Sequence, residues 1–340
     1  MNKKIFIFLS LSAIVLFITS CDLNLLTPFL YSKLFYTGQG YSEDWIAVSN
    51  IDGTDLQYLC RGNGTPYFVP DLENTEQELL MLDCCTHIDL MNLDGSNRRT
   101  IIDSVGSIYS FSSDRTKMLL NMDGEIYMAN TDGTEFKNLT GTPDIREIYP
   151  SFSPDNRMIV YVYGISDKHA FLAIKDIEIN KNEIICDYKI ENSNQSINFR
   201  YPFFKNNDEI LYSFRYKEYD KERYIAKYEI HKVPLKNGDD EIIYSSSNAS
   251  HFTYHFETGL AIIYTAGTSV LFDVNSMEIE DELIDLYYYD EYCFSPNGGY
   301  LTINKFIYRI SDGTGYYIDT KINDFNRNET RIVGIASRYY

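Results

Sequence analysis

The sequence predicts an all-β fold, a β-propeller of four-stranded blades, most simply seven of them, with six as the alternative. Two recurring phrases and a strand-forming composition predict it. The first phrase is clearest at Phe152-Ser153-Pro154-Asp155 and recurs at Phe111-Ser112-Ser113-Asp114 and Phe294-Ser295-Pro296-Asn297. Weaker copies start at Phe68, Phe204 and Phe256, so successive copies lie 38 to 52 residues apart. A four-stranded propeller unit repeats every ~40–45 residues. The second phrase is a turn between copies: Asp52-Gly53-Thr54, Asp94-Gly95-Ser96, Asp132-Gly133-Thr134 and Asp312-Gly313-Thr314. Asn237-Gly238 takes the same place, and Asn180-Lys181 and Asn275-Ser276 are worn versions, which brings the turns to seven. Thirty Tyr and twenty Phe supply side chains that favour pleated, half-buried surfaces.

Each element of the unit has a physical reason. Phe152 closes a first strand, where its ring can wedge between neighbouring blades. The following Ser-Pro-Asp-Asn turns the chain, because Pro fixes φ and Asp or Asn bonds its own backbone. Arg157 to Tyr163 is a second strand, apolar enough to be covered on both faces; Ala170 to Ile179 is a third and Glu183 to Ile190 a fourth. The Asp-Gly turns read as tight two-residue hairpins, in which Gly takes a positive φ without a Cβ clash. One such sheet cannot bury its own faces, but stacking about an axis covers both. The chain begins its β region in mid-unit, and Arg331 to Ala336 reads as a lone strand able to complete the first blade.

The amino-terminal residues form an export device rather than part of the fold. Lys3 and Lys4 precede an apolar run from Ile5 to Ile18. Fourteen residues are too few to span a bilayer, which takes about 20, and they suit a signal peptide. Ile18-Thr19-Ser20-Cys21 resembles the lipobox of bacterial lipoproteins. The resemblance implies cleavage before Cys21 and acylation of that residue. The expected organisation is therefore a signal peptide over 1–20, a lipid anchor and tether over 21–33, and the propeller over 34–340. Several acyl chains together hold a membrane stably. This places the propeller outside the cytoplasm in the cell envelope, with the choice of membrane open.

The two phrases, with Leu139-Thr140 after the third turn, resemble the WD-repeat-like units of the TolB propeller family. That resemblance implies a propeller over about residues 34–320, strongest over 105–165 and 290–315. The Trp-Asp signature of WD repeats is missing, since Trp45 is the only Trp, and the amino-terminal α/β domain of TolB has no room here.

Chemistry is sparse in the sequence. The net charge of −19 becomes −21 when Lys3 and Lys4 leave with the signal peptide, a field that repels nucleic acid. No G-x-S-x-G elbow, P-loop or G-x-G-x-x-G occurs. Beyond Cys21, the cysteines Cys60, Cys84, Cys85, Cys186 and Cys293 show no CxxC, and they read as small core residues, with a vicinal Cys84–Cys85 disulfide as the alternative. Oligogalacturonate lyases resemble this architecture and hold a metal with histidines. Of His87, His169, His231, His251 and His255, however, only His251 and His255 are close in sequence, and on a strand they stand roughly 13 Å apart. No catalytic residue, metal site or cofactor is expected. Tyr287-Tyr288-Tyr289 and the other tyrosines serve packing, or an aromatic rim for a peptide or glycan, with no residue ranked above another. The expectation is a non-catalytic lipoprotein, anchored through Cys21, whose propeller binds an envelope protein or peptide. A carbohydrate-active propeller enzyme, similar to the oligogalacturonate lyases, is the alternative.

Overall fold

The computed structural model describes residues 33–336 apart from short segments, the longest being 40–44, 51–56, 285–291, 295–299 and 318–328. The signal peptide, Cys21, the tether, the Asp52-Gly53 and Asn237-Gly238 turns, Cys85, Phe256, Asp312 and Tyr287 to Tyr289 lie outside the described residues. Among the described residues there is no helix, and twenty-eight strands pair into seven four-stranded antiparallel sheets.

Sheet I joins β1 (Lys33–Gln39), β2 (Trp45–Asn50) and β3 (Gln57–Arg61) to β28 (Glu329–Ala336), in the order β28-β1-β2-β3. The other six run in chain order. Sheet II holds β4 (Thr65–Pro70), β5 (Glu78–Asp83), β6 (His87–Asn92) and β7 (Arg99–Asp103). Sheet III holds β8 (Ile108–Phe111), β9 (Lys117–Met122), β10 (Glu125–Asn130) and β11 (Lys137–Asn138). Sheet IV holds β12 (Arg146–Phe152), β13 (Met158–Ser166), β14 (His169–Asp176) and β15 (Lys181–Lys189). Sheet V holds β16 (Gln195–Asn206), β17 (Glu209–Asp220), β18 (Arg223–Pro234) and β19 (Glu241–Ser246). Sheet VI holds β20 (Ala249–His255), β21 (Leu260–Thr265), β22 (Thr268–Asp273) and β23 (Glu278–Ile284). Sheet VII holds β24 (Tyr292–Phe294), β25 (Tyr300–Ile303), β26 (Phe306–Arg309) and β27 (Thr314–Tyr317).

The core lies between sheets, not within one, which is the packing of a β-propeller. Val69, Met81 and Ile88 of sheet II meet Ile108, Met118 and Leu120 of sheet III. Met128 and Leu139 of sheet III meet Phe152 and Tyr161 of sheet IV. Val160 and Leu172 of sheet IV meet Phe199 and Tyr212 of sheet V. Similar layers join I to II, V to VI, and VI to VII. Phe152 is the expected wedge. The first strands lie next to one another: β8 contacts β12, β12 contacts β16, β16 contacts β20, and β28 contacts both β24 and β4. The fourth strands are outermost, as the exposed β11 and the mostly exposed β15 show.

Both recurring phrases tie one sheet to the next. Phe111, Phe152 and Phe294 pair with Met118, Ile159 and Leu301, so the Ser-Pro-Asp turn has one length in all three. In sheet VI the register gives the corresponding place to Tyr254, opposite Ala261. Asn156, at φ 60°, accepts from the Ser113 amide at 2.8 Å and donates to Ser113 Oγ at 3.0 Å. The Asp155 amide donates to Asn207 Oδ1 at 3.2 Å. The turn phrase thus hydrogen-bonds to its neighbouring copy at the junctions of sheets III with IV and IV with V.

The Asp-Gly turns differ in type from the two-residue hairpin expected. Gly133 N donates to Asn130 O and Asn130 N to Thr134 O, with Asp132 Oδ1 accepting from the Thr134 amide and hydroxyl. This is a type I turn followed by a left-handed Gly, a longer hairpin with a bulge. Gly133 sits at φ 91°, and a Cβ there would stand 2.6 Å from the Ile101 carbonyl oxygen on β7 of the preceding sheet. Glycine is required twice over, by conformation and by the close approach of two sheets. Gly133→Ala is expected to cost about 2–4 kcal/mol, from the left-handed penalty plus overpacking. A urea midpoint indistinguishable from that of the unaltered chain would show that the turn relaxes freely.

Candidate functional site

Four first strands carry an irregularity two or three residues before the turn; in β20, Ser250 and His251 oppose Tyr264 alone. In β8, Tyr109 is an extra residue between the pairs Ile108–Leu120 and Ser110–Leu119. In β12, Tyr149 and Pro150 oppose Tyr161 alone, and in β16, Tyr201 and Pro202 oppose Tyr212 alone. Each is a β-bulge, which bends the strand and re-aims a side chain. Tyr149 and Tyr201 adopt φ 57° and φ 49°. Positive φ is costly for a bulky residue, and strain of about 1–3 kcal/mol persists only where the surroundings impose it.

The bulges of β8, β12 and β16 bring the three tyrosine rings into one arc across sheets III, IV and V. Tyr109 meets Tyr149 edge-on at 5.8 Å between centroids, and Tyr149 meets Tyr201 at 4.7 Å. Tyr109 is 39% exposed, and the other two are half-buried. Burial pushes the Tyr109 and Tyr201 phenols up, with the neighbouring Tyr149 adding to each. The phenols therefore remain hydrogen-bond donors at neutral pH. Arg146 lies close enough to Tyr109, and Arg200 to Tyr201, for each charge to draw the phenol the other way. The arc offers aromatic faces, hydroxyl donors and adjacent positive charge on a strand framework.

The residues opposite the bulges hold the framework rigid. Tyr161 is 3% exposed and Tyr212 fully buried. The Tyr212 hydroxyl donates to Asp240 Oδ2 at 2.6 Å, and Asp240 Oδ2 also faces His231 Nδ1 at 2.8 Å. His231 Nε2 faces Glu229 Oε2 at 3.2 Å, and Lys227 pairs with Glu229 Oε1 at 2.5 Å. Two residues before the Tyr149 bulge, Glu147 is 3% exposed, and burial pushes its carboxyl up towards the protonated form. Its Oε1 accepts from the Thr142 hydroxyl at 2.8 Å.

The structure separates the five histidines. His231 belongs to the network behind Tyr201, and His169 pairs with Asp187 on the outer strand at 2.8 Å. His251 and His255 share β20, with their side chains outside the described residues. His87 stands at the start of β6, within reach of Cys84 and Asp89. Burial pushes the Cys84 and Cys186 thiols up to about 11, and neither is a ready nucleophile. Cys60, Cys84 and Cys186 are free thiols. The tyrosine arc escaped sequence reasoning, although Tyr precedes the Phe of the turn phrase by two or three residues in all three units.

No protein-family model matches the sequence, and no curated protein matches it. Solved structures do. An oligogalacturonate lyase in complex with manganese aligns with a TM-score of 0.57 at 11% identity, over 83% of this chain and 84% of the lyase chain. A puromycin hydrolase aligns at 0.54 and 11% identity, over 84% of this chain and 52% of its own. TolB from Acinetobacter baumannii aligns at 0.47 and 12% identity, over 86% of this chain and 78% of its own. At such identities the likeness is one of fold.

The expectation that the chain is not an enzyme is corrected by these neighbours, of which the first two are enzymes. The motifs sought belong to other folds, whereas a propeller can assemble a site from strands far apart in sequence, as it assembles Tyr109, Tyr149 and Tyr201. Fold likeness does not assign a reaction, but it removes the ground for excluding one.

Proposed function

We propose that the chain is a cell-envelope lipoprotein anchored through Cys21, and that its seven sheets are the blades of one closed propeller whose tyrosine arc binds an extended peptide segment of an envelope protein. The observation that carries this reading is the arc. Tyr149 and Tyr201 are bulky residues held at positive φ before proline. Conformational strain of this kind concentrates at functional sites. Tyrosine gives large contact area at low entropic cost, with a hydroxyl to pair a peptide carbonyl. Anchoring is supported by the leader and its lipobox-like end. A carbohydrate chain is the second reading, since the ring faces and phenols of the arc also suit sugar rings and a fold neighbour is an oligogalacturonate lyase.

The test is crosslinking and pull-down from native membranes with the full-length chain, Tyr149→Asn and Cys21→Ser. Asn tolerates a left-handed backbone. Relieved strain of about 1–3 kcal/mol offsets two lost ring pairs of about 0.5–1.5 kcal/mol each, so Tyr149→Asn is expected to fold normally. One dominant envelope protein is expected, with capture reduced at least about tenfold in Tyr149→Asn. Cys21→Ser is expected to leave the membrane fraction. Retained polysaccharide in place of protein moves the reading to the carbohydrate ligand. Capture indifferent to Tyr149→Asn removes the arc from binding.

A further inference from the structure

The turn from β5 into β6 gathers three different metal-binding side chains. One ligand atom each from Cys84, His87 and Asp89 lies within 4.8 Å of the others. We propose that these three residues form a binding site for a divalent ion of the zinc class, with a fourth position open to solvent. Zinc takes sulfur at about 2.3 Å and nitrogen or oxygen at about 2.0–2.2 Å, and three protein ligands leave a place for water or substrate. At those lengths and a tetrahedral angle, nitrogen and oxygen ligands stand about 3.4 Å apart. His87 Nε2 and Asp89 Oδ2 are 3.6 Å apart. That is long for a hydrogen bond and close to the edge of a zinc tetrahedron. The sulfur-to-nitrogen edge is about 3.6 Å, so the Cys84 side chain has at most about 1 Å to close.

His87 and Asp89 are already oriented by outer partners, as ligands in metal sites are. His87 Nδ1 is 3.1 Å from the Thr86 hydroxyl, which leaves Nε2 facing Asp89. Asp89 Oδ1 accepts from the Thr100 hydroxyl and Oδ2 from Arg98 Nε, each at 2.7 Å, and these bonds fix the carboxylate plane. The Cys84 amide donates to the His87 carbonyl at 3.0 Å and closes the hairpin around the donors. Cys84 and Asp89 are 8% and 4% exposed, whereas the His87 side chain is 35% exposed, so the open position faces outward. Binding releases the Cys84 thiol proton to solvent, and the thiolate and the Asp89 carboxylate then face the ion's two charges, with Arg98 still on Asp89 Oδ2.

The mixed donor set sorts the ions. Thiolate with imidazole disfavours magnesium and calcium, which take oxygen ligands. The test uses the full-length protein in detergent, stripped with chelator and titrated with Co²⁺ and then Zn²⁺. One equivalent of Co²⁺ is expected to give tetrahedral d–d bands and a thiolate-to-cobalt charge-transfer band, both displaced by Zn²⁺. Cys84→Ser is expected to abolish the charge-transfer band, and His87→Ala to weaken binding at least about tenfold. His87 is partly exposed on a turn, so His87→Ala decides the matter if Cys84→Ser fails to fold. No stoichiometric uptake, a charge-transfer band that survives Cys84→Ser, or binding unaffected by His87→Ala would overturn the proposal.

Discussion

Deleting residues 329–340 is expected to abolish cooperative unfolding, an effect comparable with the whole ~5–15 kcal/mol stability of a domain. The reason is topological. β28 is the last strand in sequence, yet it pairs along all of β1, the first, from Lys33–Ala336 to Gln39–Glu329. It also contacts β24 and β4, the first strands of sheets VII and II. Removing it strips β1 of one ladder and parts two sheet interfaces. It also exposes an unpaired strand edge, a template for aggregation. The melt of the truncated chain is expected to be broad and early, with aggregates on size exclusion. A peptide of residues 329–340 added in trans is expected to restore the transition, because an open edge accepts a strand. A truncated chain that melts within about 1 kcal/mol of the intact one would show that sheet I does not depend on its last strand.

Much of this arrangement was legible in the sequence, because repetition reports on contacts that repeat. The Phe-Ser-Pro-Asp phrase marks a turn whose Asn or Asp bonds to the neighbouring copy, as Asn156 does to Ser113. The Asp-Gly phrase marks a close approach, as Gly133 makes to Ile101. Even the lone strand at Arg331 was readable, since a first blade begun in mid-unit needs a partner. The candidate site was not legible, because it consists of departures from the repeat. A bulge inserts one residue into an alternating strand, and a period of two does not reveal Tyr149-Pro150. The Cys84-x-x-His87-x-Asp89 spacing is visible, but three different ligand types spread over a turn and a strand match no repeated metal-site pattern. The partners of His231 were invisible because Asp240 belongs to the connection into another strand, whose geometry no local pattern specifies.

His231→Ala is expected to cost about 3–5 kcal/mol, the range for leaving a buried carboxylate without its partner. The His231 side chain is 3% exposed, and both ring nitrogens face carboxylate oxygens, of Asp240 and of Glu229. Truncation leaves Glu229, whose side chain is 9% exposed, to Lys227 alone, and it takes from Asp240 one of its two donors. It also opens a cavity beneath Tyr212, which stacks on the imidazole at 4.9 Å. Tyr212 pairs with His231 across the sheet and stands opposite the bulge that carries Tyr201. The loss should therefore reach the arc, and ligand capture should weaken along with the urea midpoint. Replacing His231 by Phe together with Glu229 by Met is expected to recover part of the stability, because it fills the cavity and removes the buried carboxylate that His231→Ala leaves short of a partner, while Asp240 keeps the Tyr212 hydroxyl. The double variant separates charge from shape. If His231→Ala costs less than about 1 kcal/mol, water satisfies the carboxylates and the network is not what holds strand β17 against the bulge. If the double variant regains stability and capture together, the arc needs only a filled and neutral interior behind it.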